Sequence, residues 1–299
     1  GAPMLVLLVG TGVYFTAKTR LFQLRHMGLW LRKTLLSCFS GAARRRSGKN
    51  AVSPFATMCT ALAATVGTGN IAGVATALTI GGPGAVFWMW VSAFFGMMTA
   101  FAENTLGMLY REKGPDGAWR GGPMLYLKKG LRSPFLAGAF ALFCVLASFG
   151  MGNMSQCNSI ASGLSGVFGV PESVTGLVTA ALLGVVMLGG LRRISRVTET
   201  LVPFMALFYM GGALTVLWCC RADLPQACGQ ILAAAFDWKA GAGGAVGYGM
   251  MQAVRIGVSR GVFSNEAGLG SSVMVHTAAD AKEPCEQGMW AVFEVFFDT

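Results

Sequence analysis

Apolar residues recur along this chain in runs of membrane-crossing length. A hydrocarbon core about 30 Å thick needs roughly 20 apolar residues of helix. On that measure spans are predicted at 3–17, 52–80, 84–110, 134–167, 171–190, 198–219 and 243–278, with an eighth opening near 287. Such a pattern predicts an all-α polytopic membrane protein, because lipid tolerates only backbone whose polar groups are satisfied internally. The composition agrees, with 54% hydrophobic and 12% charged residues. The 42 glycines suit membrane helices that approach one another closely.

A net charge of +10 raises nucleic acid as a partner until its distribution is considered. Of the 23 Lys and Arg, nine lie between the first two spans, six between 111 and 132, three at 192–196 and one at 282. The alternate loops hold only Arg221 and Lys239, and Arg255 and Arg260 fall within a span. This asymmetry predicts a multi-pass protein of the cell membrane with the basic loops cytoplasmic, seven complete crossings and an outside start. The partner is then the lipid bilayer and not nucleic acid. The segment "FQLRHMGLWLRKTLL" predicts an amphipathic connector on the cytoplasmic face, "ARRRSGKN" a solvated basic run, and "GPDGAWRGGPMLYL" a turn-rich loop leading into a short helix.

The eight cysteines show no metal-ligand spacing and behave as small hydrophobes, with a Cys220–Cys228 bridge as the alternative for that pair. The chain opens at Gly1 without methionine and closes in mid-span at "VFEVFFDT", which reads as a fragment without a cleavable signal peptide.

Two spans, 52–80 and 243–278, are too long for one ordinary crossing, and each carries a polar, glycine-rich centre: "GTGN" in the first and "FSNEAGLGSS" in the second. Unwound backbone in lipid implies a polar cavity. The broken ends expose carbonyls suited to a dehydrated cation and amides suited to a carboxylate. Gly67 and Gly69 are expected to supply the backbone angles and a close approach of ligand to main chain, with Thr68 and Asn70 adding oxygen-bearing side chains. Tight helix packing is the competing role for these glycines. "GTGNIAG" is not a dinucleotide fingerprint, because its spacing is G-x-G-x-x-x-G and no strand precedes it.

The second break adds Ser264, Asn265, Glu266, Gly268, Gly270, Ser271 and Ser272. An acid at membrane depth is costly and marks a functional position. For Glu266 three roles are open: a neutral acid, a pair with Arg260, or an orienting bond to the unwound backbone. Glu103 is expected to make a helix-to-helix hydrogen bond. A third polar face in the fourth span offers Asn153 with Gln156 and Asn158 with Ser162, either as interhelical bonds or as a cavity lining.

The segments "ALAATVGTGNIAGVATALTIGGPGAVFWMWVSAFFGMMTAFAE", "RGGPMLYL", "GMGNMSQCNSIA" and "RGVFSNEAGLGSS" together resemble the alanine or glycine:cation symporter family, also called sodium:alanine symporters. The resemblance covers essentially the whole chain. It implies a leucine-transporter-like inverted five-helix repeat, truncated in the second repeat, with two broken helices. Residues 1–299 would be one transmembrane transporter domain: 1–50 an extra span plus loop, 51–220 repeat one, and 241–299 the start of repeat two. By the same carry-over the substrate would meet Thr68, Gly69 and Asn70 at the first break and Phe263, Ser264 and Asn265 at the second, with Asn153 and Gln156 from the fourth span. Gly67, Gly73, Glu266, Gly268 and Gly270 would shape the breaks. Gly67 and Thr68 would supply half of a sodium site, and Na+ would be the coupling ion, with no covalent cofactor.

The function so implied is sodium-coupled symport of a small neutral amino acid, alanine or glycine, and not an enzyme activity. A channel-like pore on the same broken helices is the alternative. An intramembrane serine protease built on Ser165 in "GLSG" and His276 is disfavoured, since the spans put these residues near opposite faces of the membrane. Nothing in the sequence speaks to the oligomeric state.

Overall fold

A computed structural model describes residues 2–39, 52–115, 117–236 and 246–299. The basic run at 43–50, Lys239 and the first residues of the 243–278 span lie outside the described residues. The described chain is helical apart from one two-stranded hairpin and the connecting turns. Among the described residues, three helical stretches are long and apolar enough to cross a membrane: Gly84–Tyr110, Pro134–Phe168 and Arg193–Cys219. A fourth candidate is the bent pair Pro54–Thr65 and Gly69–Gly81, while Pro3–Lys18 and Glu172–Met187 are shorter apolar helices.

The first apolar run forms α1 (Ala2–Lys18), and the amphipathic segment forms three short helices, α2 (Phe22–Arg25), α3 (Met27–Lys33) and α4 (Leu35–Phe39). Their inward face is fixed by Trp30, which is fully buried and donates its indole N–H to the Gln23 carbonyl at 3.0 Å. An indole this deep needs a partner for its single donor. Met27, Leu29 and Leu36, by contrast, remain exposed.

Ser53 caps α5 (Pro54–Thr65), its hydroxyl accepting from the Ala56 N–H at 3.2 Å, with Pro54 in the first turn where its missing N–H costs nothing. The chain then passes through the first break to α6 (Val74–Gly81). The long α7 (Gly84–Tyr110) is the central post, against which α1, α6, α13, α14 and α16 pack. Small residues make that approach possible: a Cβ on Gly257 would lie 2.4 Å from the Ala85 carbonyl oxygen, and one on Gly288 would lie 2.4 Å from Thr105 Oγ1. The turn-rich loop forms the hairpin β1 (Glu112–Lys113) and β2 (Trp119–Arg120) before the expected short helix α8 (Pro123–Lys129).

The fourth predicted span runs through α9 (Pro134–Ala147), a π-helical stretch (Ser148–Met154) and α10 (Ser155–Phe168). Next come α11 (Glu172–Met187) and α12 (Gly190–Cys219), so Arg193 and Arg196 sit on the opening turns of a helix where a loop was expected. The loop after α12 holds a helix that sequence reasoning missed, α13 (Leu224–Ala235), and Trp88 Nε1 donates to its Ala235 carbonyl at 3.3 Å. Cys220 and Cys228 are free thiols. The 243–278 span divides into α14 (Val246–Asn265) and α15 (Ser271–His276), and the eighth segment forms α16 (Pro284–Asp298). Phe55, Met58, Cys59 and Leu62 of α5 form the main core with Trp290 and Phe293 of α16, Val202 of α12 and Trp30.

Candidate functional site

Both expected breaks are present. In the first, α5 ends at Thr65, Val66 is extended (φ −74°, ψ 98°), and the helix resumes as a π-turn over Gly69–Gly73, so that the two halves diverge by 47°. Asn70 holds the turn together. Its Oδ1 accepts the Gly67 N–H at 3.0 Å, while its main-chain N–H donates to the Gly67 carbonyl at 3.2 Å. The asparagine therefore satisfies backbone that helix would otherwise have paired.

Gly67, Gly69 and Gly73 do not adopt left-handed angles, which corrects the expected role of the first two. What they provide is proximity. A Cβ on Gly69 would lie 3.3 Å from Ser264 Cα, and one on Gly67 would lie 3.3 Å from Gln156 Oε1, whereas Gly73 has only the Thr68 carbonyl oxygen at 3.8 Å.

The second break uses backbone angles instead. Glu266 has φ +52°, Gly268 has φ +87° and Gly270 has φ +77°. At Gly270 a side chain would also meet Pro123 Cγ at 2.5 Å, so only glycine fits. The exposed amides find acceptors: Asn265 Oδ1 takes the Ala267 N–H at 3.1 Å, and Glu103 Oε1 takes the Gly268 N–H at 3.2 Å. Glu103 thus bonds to unwound backbone and not to a neighbouring helix. Glu266 accepts the Ser271 hydroxyl at the start of α15. Its partner is a side chain and not unwound backbone, and Arg260 lies over the Phe263 ring at 5.9 Å.

The two breaks face each other across a cavity of about 140 Å³ lined by Ala63, Ala64, Thr65, Gly69, Gln156, Phe263 and Glu266. That is well above the roughly 10–15 Å³ that one water requires. Gln156 reaches in from α10 and accepts the Thr68 N–H at 3.4 Å. Among the predicted residues, Gly69, Gln156, Phe263 and Glu266 line the cavity; Thr68 and Asn70 lie in the first break, and Ser264 and Asn265 end α14 where the second begins. Asn153, Asn158 and Ser162 are exposed and do not line the cavity.

Sequence reasoning missed the group that joins the breaks. Asp298 of α16 is buried, its Oδ1 accepting Asn70 Nδ2 at 3.0 Å and its Oδ2 accepting Ser264 Oγ at 2.7 Å. Its main-chain carbonyl accepts Asn70 Nδ2 as well, at 2.6 Å. The available signal was an acid within the apolar "VFEVFFDT". A second buried cluster lies beside it: His276 Nε2 meets Glu294 Oε2 at 2.8 Å, and Gln287 bonds to both His276 Nδ1 and Thr57 Oγ1. Both ring nitrogens of the fully buried His276 are therefore occupied by Glu294 and Gln287 and not by Ser165, so the two do not form a nucleophile and base.

The chain matches the model of the sodium:alanine symporter family over residues 1–299. An uncharacterized transporter of Haemophilus influenzae is 44% identical over 100% of the chain and 64% of its own length. Sodium/alanine symporter AgcS of Methanococcus maripaludis is 43% identical over 100% of the chain and 65% of its own length. The probable sodium/glutamine symporter GlnT of Bacillus subtilis is 39% identical over 99% and 60% respectively. The chain thus spans less than two thirds of the length of these relatives. With paired helix breaks enclosing a polar cavity and a family match along its entire length, the chain belongs to the sodium:alanine symporter family, a family of transporters and not of enzymes.

Proposed function

We propose that the whole protein is a secondary transporter coupling sodium entry to uptake of a small neutral amino acid, alanine or glycine, by alternating access. The observation that carries this reading is the cavity enclosed by the two facing breaks. A solute carboxylate there would lie against the Gly69 main chain, with Gln156, Phe263 and Glu266 around the remainder. Thr68, Asn70, Ser264 and Asn265 would hold the broken backbone in shape, and Gly67 and Thr68 would contribute oxygens to a sodium site. The choice of alanine or glycine follows the name of the AgcS relative, and the name of the GlnT relative marks a larger amino acid as the competing substrate. In this reading 51–220 is one five-helix repeat, 241–299 opens its inverted partner, and the basic loops face the cytoplasm of the cell membrane.

The test is uptake of radiolabelled alanine into proteoliposomes containing the full-length protein. Uptake is expected to follow an imposed inward sodium gradient, to saturate, and to be competed by glycine. Uptake indifferent to the sodium gradient overturns the coupling, and flux that neither saturates nor exchanges substrate identifies a channel instead.

A further inference from the structure

We propose that the groove between α1, α7 and α14 binds an anionic phospholipid, with one acyl chain lying in the groove and the phosphate on Arg255. The groove has a volume of about 780 Å³ and is walled by Val6 and Gly10 of α1, Trp88 of α7, and Val254 and Val258 of α14. Ligand sites commonly enclose roughly 300–1,000 Å³. Its walls are almost wholly apolar. Trp88 has its one donor engaged by the Ala235 carbonyl at 3.3 Å, which leaves the indole ring as apolar wall. Gly10 keeps the α1 side flat, since a Cβ there would meet nothing within 4 Å.

Arg255 distinguishes this groove from an uncovered apolar face. It is exposed and lines the groove beside Val254 and Val258. Among the described residues no acid forms an ion pair with it, and no acid lines the groove. The neighbouring Arg260, by contrast, lies over the Phe263 ring. A guanidinium in a membrane span is costly unless an anion or the headgroup layer receives it. Depth indicates which anion is at hand. Arg255 precedes Asn265, the last residue of α14, by about 15 Å of helical rise. With the break at the midplane of a hydrocarbon core about 30 Å thick, Arg255 then stands at the headgroup layer of one leaflet. Its Cα–Cβ bond tilts toward the start of α14 and so still further from the midplane. The planar fork of the guanidinium matches two phosphate oxygens. From there the groove continues past Val258 toward the break, the direction in which an acyl chain leaves its headgroup.

The absence of a carboxylate from the groove lining sets the class of headgroup. A zwitterionic lipid would bring an ammonium group beside Arg255 with no acid to meet it, whereas an anionic headgroup adds no second cation. The lipid would also brace α14. That helix is seated on α7 through Gly257 and Gly261, and its far end carries Phe263 into the wall of the solute cavity. The site does not depend on the symport reading, because lipid binding is measured without transport.

The test is native mass spectrometry of the purified full-length protein, delipidated in detergent and titrated with phosphatidylglycerol or phosphatidylethanolamine of matched acyl chains. Wild type is expected to retain one phosphatidylglycerol at about a tenfold lower concentration than phosphatidylethanolamine, as one charged hydrogen-bonding pair implies. Arg255→Gln is expected to weaken phosphatidylglycerol about tenfold or more and to erase the preference. Gly10→Leu leaves Arg255 intact but fills the groove, displacing about two chain methylenes, and is expected to weaken both lipids about tenfold. Should one variant fail to fold, as judged by size-exclusion chromatography, the other decides. Wild-type retention in a folded Arg255→Gln or Gly10→Leu protein overturns the site, and equal retention of the two lipids by the wild type overturns the anionic class. Displacement of the lipid by inorganic phosphate would reduce the site to a phosphate-ion site and overturn the acyl-chain seat. A wild type that retains neither lipid also overturns the proposal, because a later segment of the chain or a second copy would then cover the groove.

Discussion

The carboxylate of Glu103, on α7, accepts the main-chain N–H of Gly268 at 3.2 Å, so the second break is held by an acid lying 165 residues earlier in the chain. Glu103→Ala leaves that buried amide without an acceptor and is expected to lower stability by about 1–3 kcal/mol. Glu103→Gln keeps a carbonyl oxygen in place and should lose less. Thermal unfolding of the detergent-solubilised protein distinguishes them; equal loss in both would assign the effect to charge and not to the hydrogen bond.

Gln156 accepts the Thr68 N–H and lines the cavity. We predict that Gln156→Ala reduces alanine uptake efficiency roughly tenfold to a hundredfold, the range expected when a hydrogen bond to a charged solute is lost. Wild-type kinetics in a folded Gln156→Ala protein would remove this residue from the site.

Gly69 and Gly73 make a discriminating pair, because they open and close the same π-turn. Gly69→Ala places a methyl group 3.3 Å from Ser264 Cα, where backbone has to yield, and uptake is expected to fall sharply. Gly73→Ala meets nothing closer than 3.8 Å and should leave uptake near wild type. The reverse order of effects, measured at matched protein levels, would refute the close-approach role of Gly69.

Removing His276 strands Glu294 in the interior and leaves Gln287 with Thr57 Oγ1 alone. His276→Leu is expected to destabilise by about 1–3 kcal/mol for each group left without a partner, and the double variant His276→Leu/Glu294→Leu to recover part of that loss. A double-mutant cycle by denaturation measures the coupling; strict additivity would show that the two side chains do not interact.

The places where the helices break could be read directly, because a cluster of polar and glycine residues at the centre of an apolar run is costly in lipid unless it serves a cavity. "GTGN" and "FSNEAGLGSS" mark the two breaks. How each break is built could not be read. The first relies on close approach at Gly67 and Gly69 and the second on positive φ at Gly268 and Gly270, and glycine has the same letter in both roles. Asp298 escaped for a different reason. Its partners, Asn70 and Ser264, are 228 and 34 positions away, and no local pattern encodes such a meeting. The helix Leu224–Ala235 was hidden by length, being too short for a crossing and lying where a loop was expected. Asn153 shares a helical spacing with Gln156, yet the π-turn over Ser148–Met154 changes the periodicity on which that pairing relied.

A parallel bridge pairs Val52 with Ala279, and the Asp280 N–H donates to the Val52 carbonyl at 2.8 Å. Arg111, at the end of α7, fastens the same strap by donating to the carbonyls of Thr277, Ala279 and Ala281. Val52 enters the first broken span and Ala279 leaves the second, so the two half-helices on this side share one anchorage. A rotation of α5 about its break would therefore load the strap and pass to α15.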